Sequence, residues 1–99
     1  GPQLTFQAQD DDGHTWMIGD TVAQPAPHAA VRFEVRWRDC PPDAALRVIV
    51  NGRLLHALPA GVEGAHAWSL TPDEADWVMV EIRDKSGVML AVTNPIFVT

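Results

Sequence analysis

The side chains that could do chemistry in this 99-residue chain are four histidines, one cysteine, a run of carboxylates and four tryptophans. Histidine supplies metal ligands and general bases near neutral pH. Here His14, His28, His56 and His66 form no His-x-His or His-x-x-x-His spacing, and no Cys-x-x-Cys accompanies them, so a preformed metal site would need distant segments to converge. They read as surface or structural histidines. Asp10-Asp11-Asp12-Gly13 has the composition of a calcium loop, but such a loop alternates its ligands and ends on a glutamate at its twelfth position. These acids are consecutive and the twelfth position is Thr21, so a solvated acidic turn is expected. No Gly-x-Ser-x-Gly, glycine-rich phosphate loop or paired acid/base motif occurs. The segment is therefore expected to be non-catalytic by itself, with no metal and no cofactor. Cys40 precludes an internal disulfide, reads as a partly buried thiol beside Pro41-Pro42, and favours a reducing compartment such as the cytoplasm.

The tryptophans leave more open, because sugar-binding sandwiches use aromatic rings as flat apolar platforms. Trp37 falls on the apolar side of its segment and reads as core. Trp16 and Trp68, beside His14 and His66, are the candidates for a ligand platform or a domain interface, although packing is the commoner role of tryptophan.

Composition narrows the partners. A net charge of −6 with only seven Lys and Arg argues against nucleic acid and against anionic membranes. No apolar run reaches the roughly 18 residues of a spanning helix. Gly1-Pro2 reads as the scar of a cleaved tag, and residues 3–99 as one domain.

The elements that must position these groups are strands. Leu4-Thr5-Phe6-Gln7-Ala8-Gln9 alternates, with Leu4, Phe6 and Ala8 on one side. Trp16 to Val22 reads as a short strand interrupted at Gly19, and Gln24-Pro25-Ala26-Pro27-His28 as a loop. In the next strand Val31, Phe33, Val35 and Trp37 face inward, while Arg32, Glu34, Arg36 and Arg38 meet water or an acidic neighbour. Asn51-Gly52 joins Leu46-Arg47-Val48-Ile49-Val50 to Arg53-Leu54-Leu55-His56-Ala57-Leu58 as a type I′ hairpin. His66-Ala67-Trp68-Ser69-Leu70 supplies a further strand. Thr71-Pro72-Asp73-Glu74 carries a helix-start signature with room for one turn. Val78 to Ile82 and Val88 to Val92 then form a hairpin closed by Gly87, and Pro95 implies a bulge or an edge position.

Short strands at spacings of about 8 to 15 residues, with no helical period, predict an all-β, two-sheet sandwich of about seven antiparallel strands. Pro72-Asp73-Glu74-Ala75-Asp76-Trp77 resembles the corner between strands E and F of immunoglobulin-like folds, with Trp77 at the place of its tyrosine. That register would bury Met79 and Glu81, whereas the apolar alternation turns Val78, Val80 and Ile82 inward.

Val78-Met-Val-Glu-Ile-Arg-Asp-Lys-Ser-Gly-Val-Met-Leu-Ala-Val-Thr-Asn-Pro-Ile-Phe97 resembles the C-terminal end of metal-dependent hydrolases of the PHP (polymerase and histidinol phosphatase) superfamily. There a run similar to Leu90-Ala-Val-Thr-Asn-Pro-Ile-Phe97 closes a small β domain behind the catalytic barrel. The resemblance implies an accessory domain that packs on or stabilises an N-terminal catalytic domain of a phosphoesterase. That family's ligands begin with a His-x-His motif in the barrel, so no catalytic or metal-binding residue carries over to this chain. The alternative is a modular carbohydrate- or protein-binding sandwich using Trp16 and Trp68.

Overall fold

A computed structural model describes residues 1–11, 13–17, 21–22 and 30–98, with Thr21 and Val22 described by their backbone. In chain order the strands are β1 (Gln3–Gln9), β2 (Thr15–Met17), β3 (Thr21–Val22), β4 (Val31–Arg38), β5 (Ala45–Val50), β6 (Arg53–Pro59), β7 (Gly64–Leu70), β8 (Trp77–Arg83), β9 (Met89–Val92) and β10 (Ile96–Val98). A four-stranded sheet has the order β2-β1-β4-β7; a six-stranded sheet runs β3-β10-β8-β5-β6, with β9 also paired to β8. The β4–β7 pairing in one sheet and the β5–β8–β10 pairing in the other reproduce the B–E and C–F–G neighbours of immunoglobulin-like sandwiches. The all-β sandwich expected from the alternation is what forms.

Three details correct the sequence reading. Among the described residues ten strand segments stand where about seven were expected, partly because the last strand is broken. Thr93 makes the break: its N–H donates to the Val80 carbonyl at 2.9 Å, and its Oγ1 accepts the Val80 N–H at 3.0 Å. A side chain thus replaces a ladder carbonyl just before Pro95, which has no N–H to give. Secondly, the stretch from Trp16 to Val22 is not one strand. β2 pairs with β1, whereas β3 pairs in parallel with β10 in the other sheet, so the chain changes sheets and the sandwich is not wholly antiparallel. The expected interruption at Gly19 and the loop 24–28 lie outside the described residues. Thirdly, 71–74 closes as a hydrogen-bonded turn rather than a helix, with the Thr71 N–H bonded to Glu74 Oε1 at 2.9 Å and the Glu74 N–H to the Thr71 carbonyl at 2.9 Å.

The core is built from the inward halves of the strands. Val31, Phe33 and Val35 from β4 and Val78, Val80 and Ile82 from β8 are fully buried, which settles the β8 register in favour of the alternation. Trp77 consequently faces outward and makes no tyrosine-like corner. Asn51 holds that corner instead. At φ 51° it begins the β5–β6 turn, and its Oδ1 accepts the N–H groups of Asp76 (2.8 Å) and Trp77 (3.1 Å). The hairpin residue chosen for its left-handed backbone therefore also satisfies two backbone donors of a distant loop. On the smaller sheet Trp37 packs against Gly64, where a Cβ would come within 2.6 Å of the ring.

Candidate functional site

The four residues singled out from sequence separate into two pairs at opposite edges of the smaller sheet. On β2, Trp16 lies opposite Ala8, faces inward, and packs half-buried on the core. His14 is exposed; its Nδ1 lies 3.1 Å from Asp10 Oδ2 and its ring centroid 6.0 Å from that of Trp16. On β7, at the other edge, Trp68 is only 8% exposed and stacks on Phe33 (5.7 Å) and Phe6 (5.9 Å). The platform expectation for Trp68 is thereby corrected. Its rings of contact are core rings, because Phe33 is its cross-strand partner and both face inward. His66 stacks on Trp68 at 5.4 Å and meets His56 from β6, Nε2 to Nδ1, at 3.3 Å. Burial, and after it the neighbouring His56, hold His66 below its ordinary pKa. Cys40 is buried, and burial followed by the Asp39 carboxylate pushes its thiol up, away from reactivity.

The surface that sequence reasoning missed is an apolar strip on the outer face of the larger sheet. Register places Phe97 opposite Trp77, Met79 opposite Ile49, and Ile49 opposite Leu54. Trp77 and Met79 are two residues apart on one strand and share a face. The five side chains therefore form a strip across β10, β8, β5 and β6, about 14 Å wide at the usual spacing between strands. None belongs to the core or packs against it, yet Trp77, Met79 and Ile49 are half-buried and Leu54 and Phe97 remain 48% and 42% exposed. The alternation that turned Val78 and Val80 inward also turned Trp77 and Met79 outward. What the sequence could not supply was their cross-strand neighbours.

A charged cluster borders the strip. Glu81, two residues beyond Met79, is only 5% exposed although it faces outward. Arg83 donates to it through Nε (2.9 Å) and Nη2 (3.3 Å). Arg47 Nε lies 2.8 Å from the same Oε1, close enough for ion pairing, but its N–H points elsewhere and finds no acceptor. Two guanidiniums over one carboxylate leave this border positive within an acidic protein.

Near Trp37 a groove of ≈ 690 Å³ is lined by Arg36, Arg38, Glu63 and Gly64, among others. It holds no nucleophile beside a base. Among the described residues no three His, Cys, Asp or Glu side chains come together as metal ligands, and no helix is long and apolar enough to cross a membrane. Compared with protein-family models, curated proteins and solved structures, the chain matches none.

Proposed function

We propose that this chain is a non-catalytic interaction domain that docks the outer face of its larger sheet on a neighbouring folded domain. The observation that carries the reading is the strip of Phe97, Trp77, Met79, Ile49 and Leu54, which the core does not use. An apolar centre with aromatic anchors and an arginine-bearing rim is the anatomy of a protein interface. Side chains spread across four strands of a sheet face suit another folded surface better than a small molecule, which takes a concave pocket. The resemblance to PHP-type phosphoesterases makes an N-terminal catalytic domain of the same protein the expected partner, with this domain stabilising it or shaping access to its site.

The reading frame upstream of Gln3 tests the partner: a barrel with His-x-His and further His and Asp ligands is the expected result. Mixing the two domains should then shift amide resonances of β8, β5 and β10, and Trp77→Arg should abolish the shift. Perturbation confined to the arginine face of β4 would overturn the docking face. The modular alternative moves from Trp16 and Trp68 to the outward pair Trp77 and Phe97, which lie side by side. Shifts of those two rings with a glycan panel, and none with the protein domain, would favour it.

A further inference from the structure

We propose that His56 and His66 form a two-imidazole clamp for a borderline divalent cation of the Zn2+, Ni2+ or Cu2+ class, one ligand from each sheet, pinning the open edge of the sandwich. His66 Nε2 and His56 Nδ1 are 3.3 Å apart. Two nitrogens bound tetrahedrally at the usual Zn–N distance stand about 3.3–3.4 Å apart. The spacing that lets the two rings share a proton therefore also admits a shared cation with little movement of either ring.

The ligands are also held. His56 lies opposite Val48 in the larger sheet and His66 opposite Val35 in the smaller, both of which face the core. His66 stacks on Trp68 with the planes 27° apart, and His56 meets the same indole edge-on at 87°. Trp68 in turn is wedged against Phe6 and Phe33. Ligands on strands, locked by a core ring, are preorganised before the ion arrives. β6 and β7 are the terminal strands of their sheets at this edge, so the pair spans a gap that no backbone ladder closes. Among the described residues no third protein ligand joins the pair. Water or a side chain from a docked partner completes the coordination, and the affinity is that of an open rather than a closed structural site.

The test is titration of the 99-residue chain with ZnCl2 near neutral pH, followed by imidazole proton–nitrogen correlations and by thermal unfolding. The His56 and His66 signals should move together and saturate at one equivalent, and the unfolding midpoint should rise with free Zn2+. His56→Gln and His66→Gln should each weaken binding by about tenfold or more, while His14→Gln, His28→Gln and Cys40→Ser leave it unchanged. Lowering the pH by about two units should weaken binding through proton competition. Near-UV circular dichroism of the tryptophans checks the fold of each variant. His56→Gln, which loses only an edge contact with Trp68, carries the test if His66→Gln fails to fold. Unmoved His56 and His66 signals at millimolar Zn2+, shifts confined to His14 or His28, or undiminished affinity in His56→Gln would overturn the proposal.

Discussion

On the outer face of the four-stranded sheet, Arg32, Glu34, Arg36 and Arg38 stand opposite Gln9, Gln7, Thr5 and Gln3 on one side and Ser69, Ala67 and Ala65 on the other. On the outer face of the larger sheet the positions of the same kind carry Phe97, Trp77, Met79, Ile49 and Leu54. The inward halves of the two sheets are alike, with Val31, Phe33 and Val35 as fully buried as Val78, Val80 and Ile82. Folding therefore asks the same thing of both sheets, and both comply. Only the outer halves differ, and the smaller sheet shows that small and polar residues suffice there. The apolar strip on the larger sheet is surplus to the core, and that surplus is what supports the proposed interface.

The most severe way to probe this contrast uses the two outer-face carboxylates, each set between two arginines. Glu81 is 5% exposed, and Glu81→Ala strands Arg47 and Arg83 beside one another. Urea unfolding should show a loss of about 2–3 kcal/mol, because partly buried charge is left uncompensated. Glu34 bonds Arg36 at 2.9 Å and Arg32 at 3.4 Å on the wetter face, and the Arg36 hydrogen bond leads the interactions that hold its carboxyl below the usual range. Glu34→Ala should cost under about 1 kcal/mol, as exposed pairs do. Equal losses would erase the difference between the faces.

A smaller effect is expected at the break between β9 and β10. Thr93→Val keeps the shape but removes the acceptor of the Val80 N–H, and should cost about 1–2 kcal/mol for an unsatisfied buried donor. Ser69→Ala, on the exposed edge of the smaller sheet, should change stability by no more than about 0.5 kcal/mol.

Acid titration sharpens the comparison at the edge where the sheets meet. His66, facing His56, has a folded pKa below its ordinary 6.5, so near that pH the unfolded chain binds more protons than the native one. Stability conferred by neutral His66 is full above about 6.5 and is lost as pH falls toward its native pKa, below which the curve flattens. His56→Gln should shallow this slope in a series of denaturation midpoints; an unchanged slope would place the titration elsewhere.

The gentlest variants are Phe97→Ser and Leu54→Ser. Both side chains are more than two-fifths exposed, so unfolding midpoints should move by the equivalent of about 0.5 kcal/mol or less. Binding to the docked domain should nevertheless fall. A large stability loss would mean that the strip serves the fold after all.

Several of these features were legible in the chain. Asn51-Gly52 takes positive φ at 51° and 81°, and Gly87 closes its loop at 85°, because those turns demand backbone angles that few residue types adopt. The alternation of β4 announced its buried and solvated faces residue by residue. At the candidate sites the sequence reached only halfway. It gave Trp77 and Met79 an outward direction without the Phe97, Ile49 and Leu54 that make a surface of them, and it named His56 and His66 without bringing them together.

What the sequence determined by itself was therefore the local part: strands, turns and the inward half of each strand. These rest on a two-residue period and on turn chemistry carried by adjacent residues. What only the tertiary structure decided was who stands beside whom. The change of sheet between β2 and β3, the Asn51 cap on Asp76 and Trp77, the Thr93 substitution in the ladder, and the meeting of His56 with His66 across two sheets all depend on register and sheet packing between distant segments. Those are fixed by the summed burial of many side chains at once, and no short stretch of sequence contains that sum.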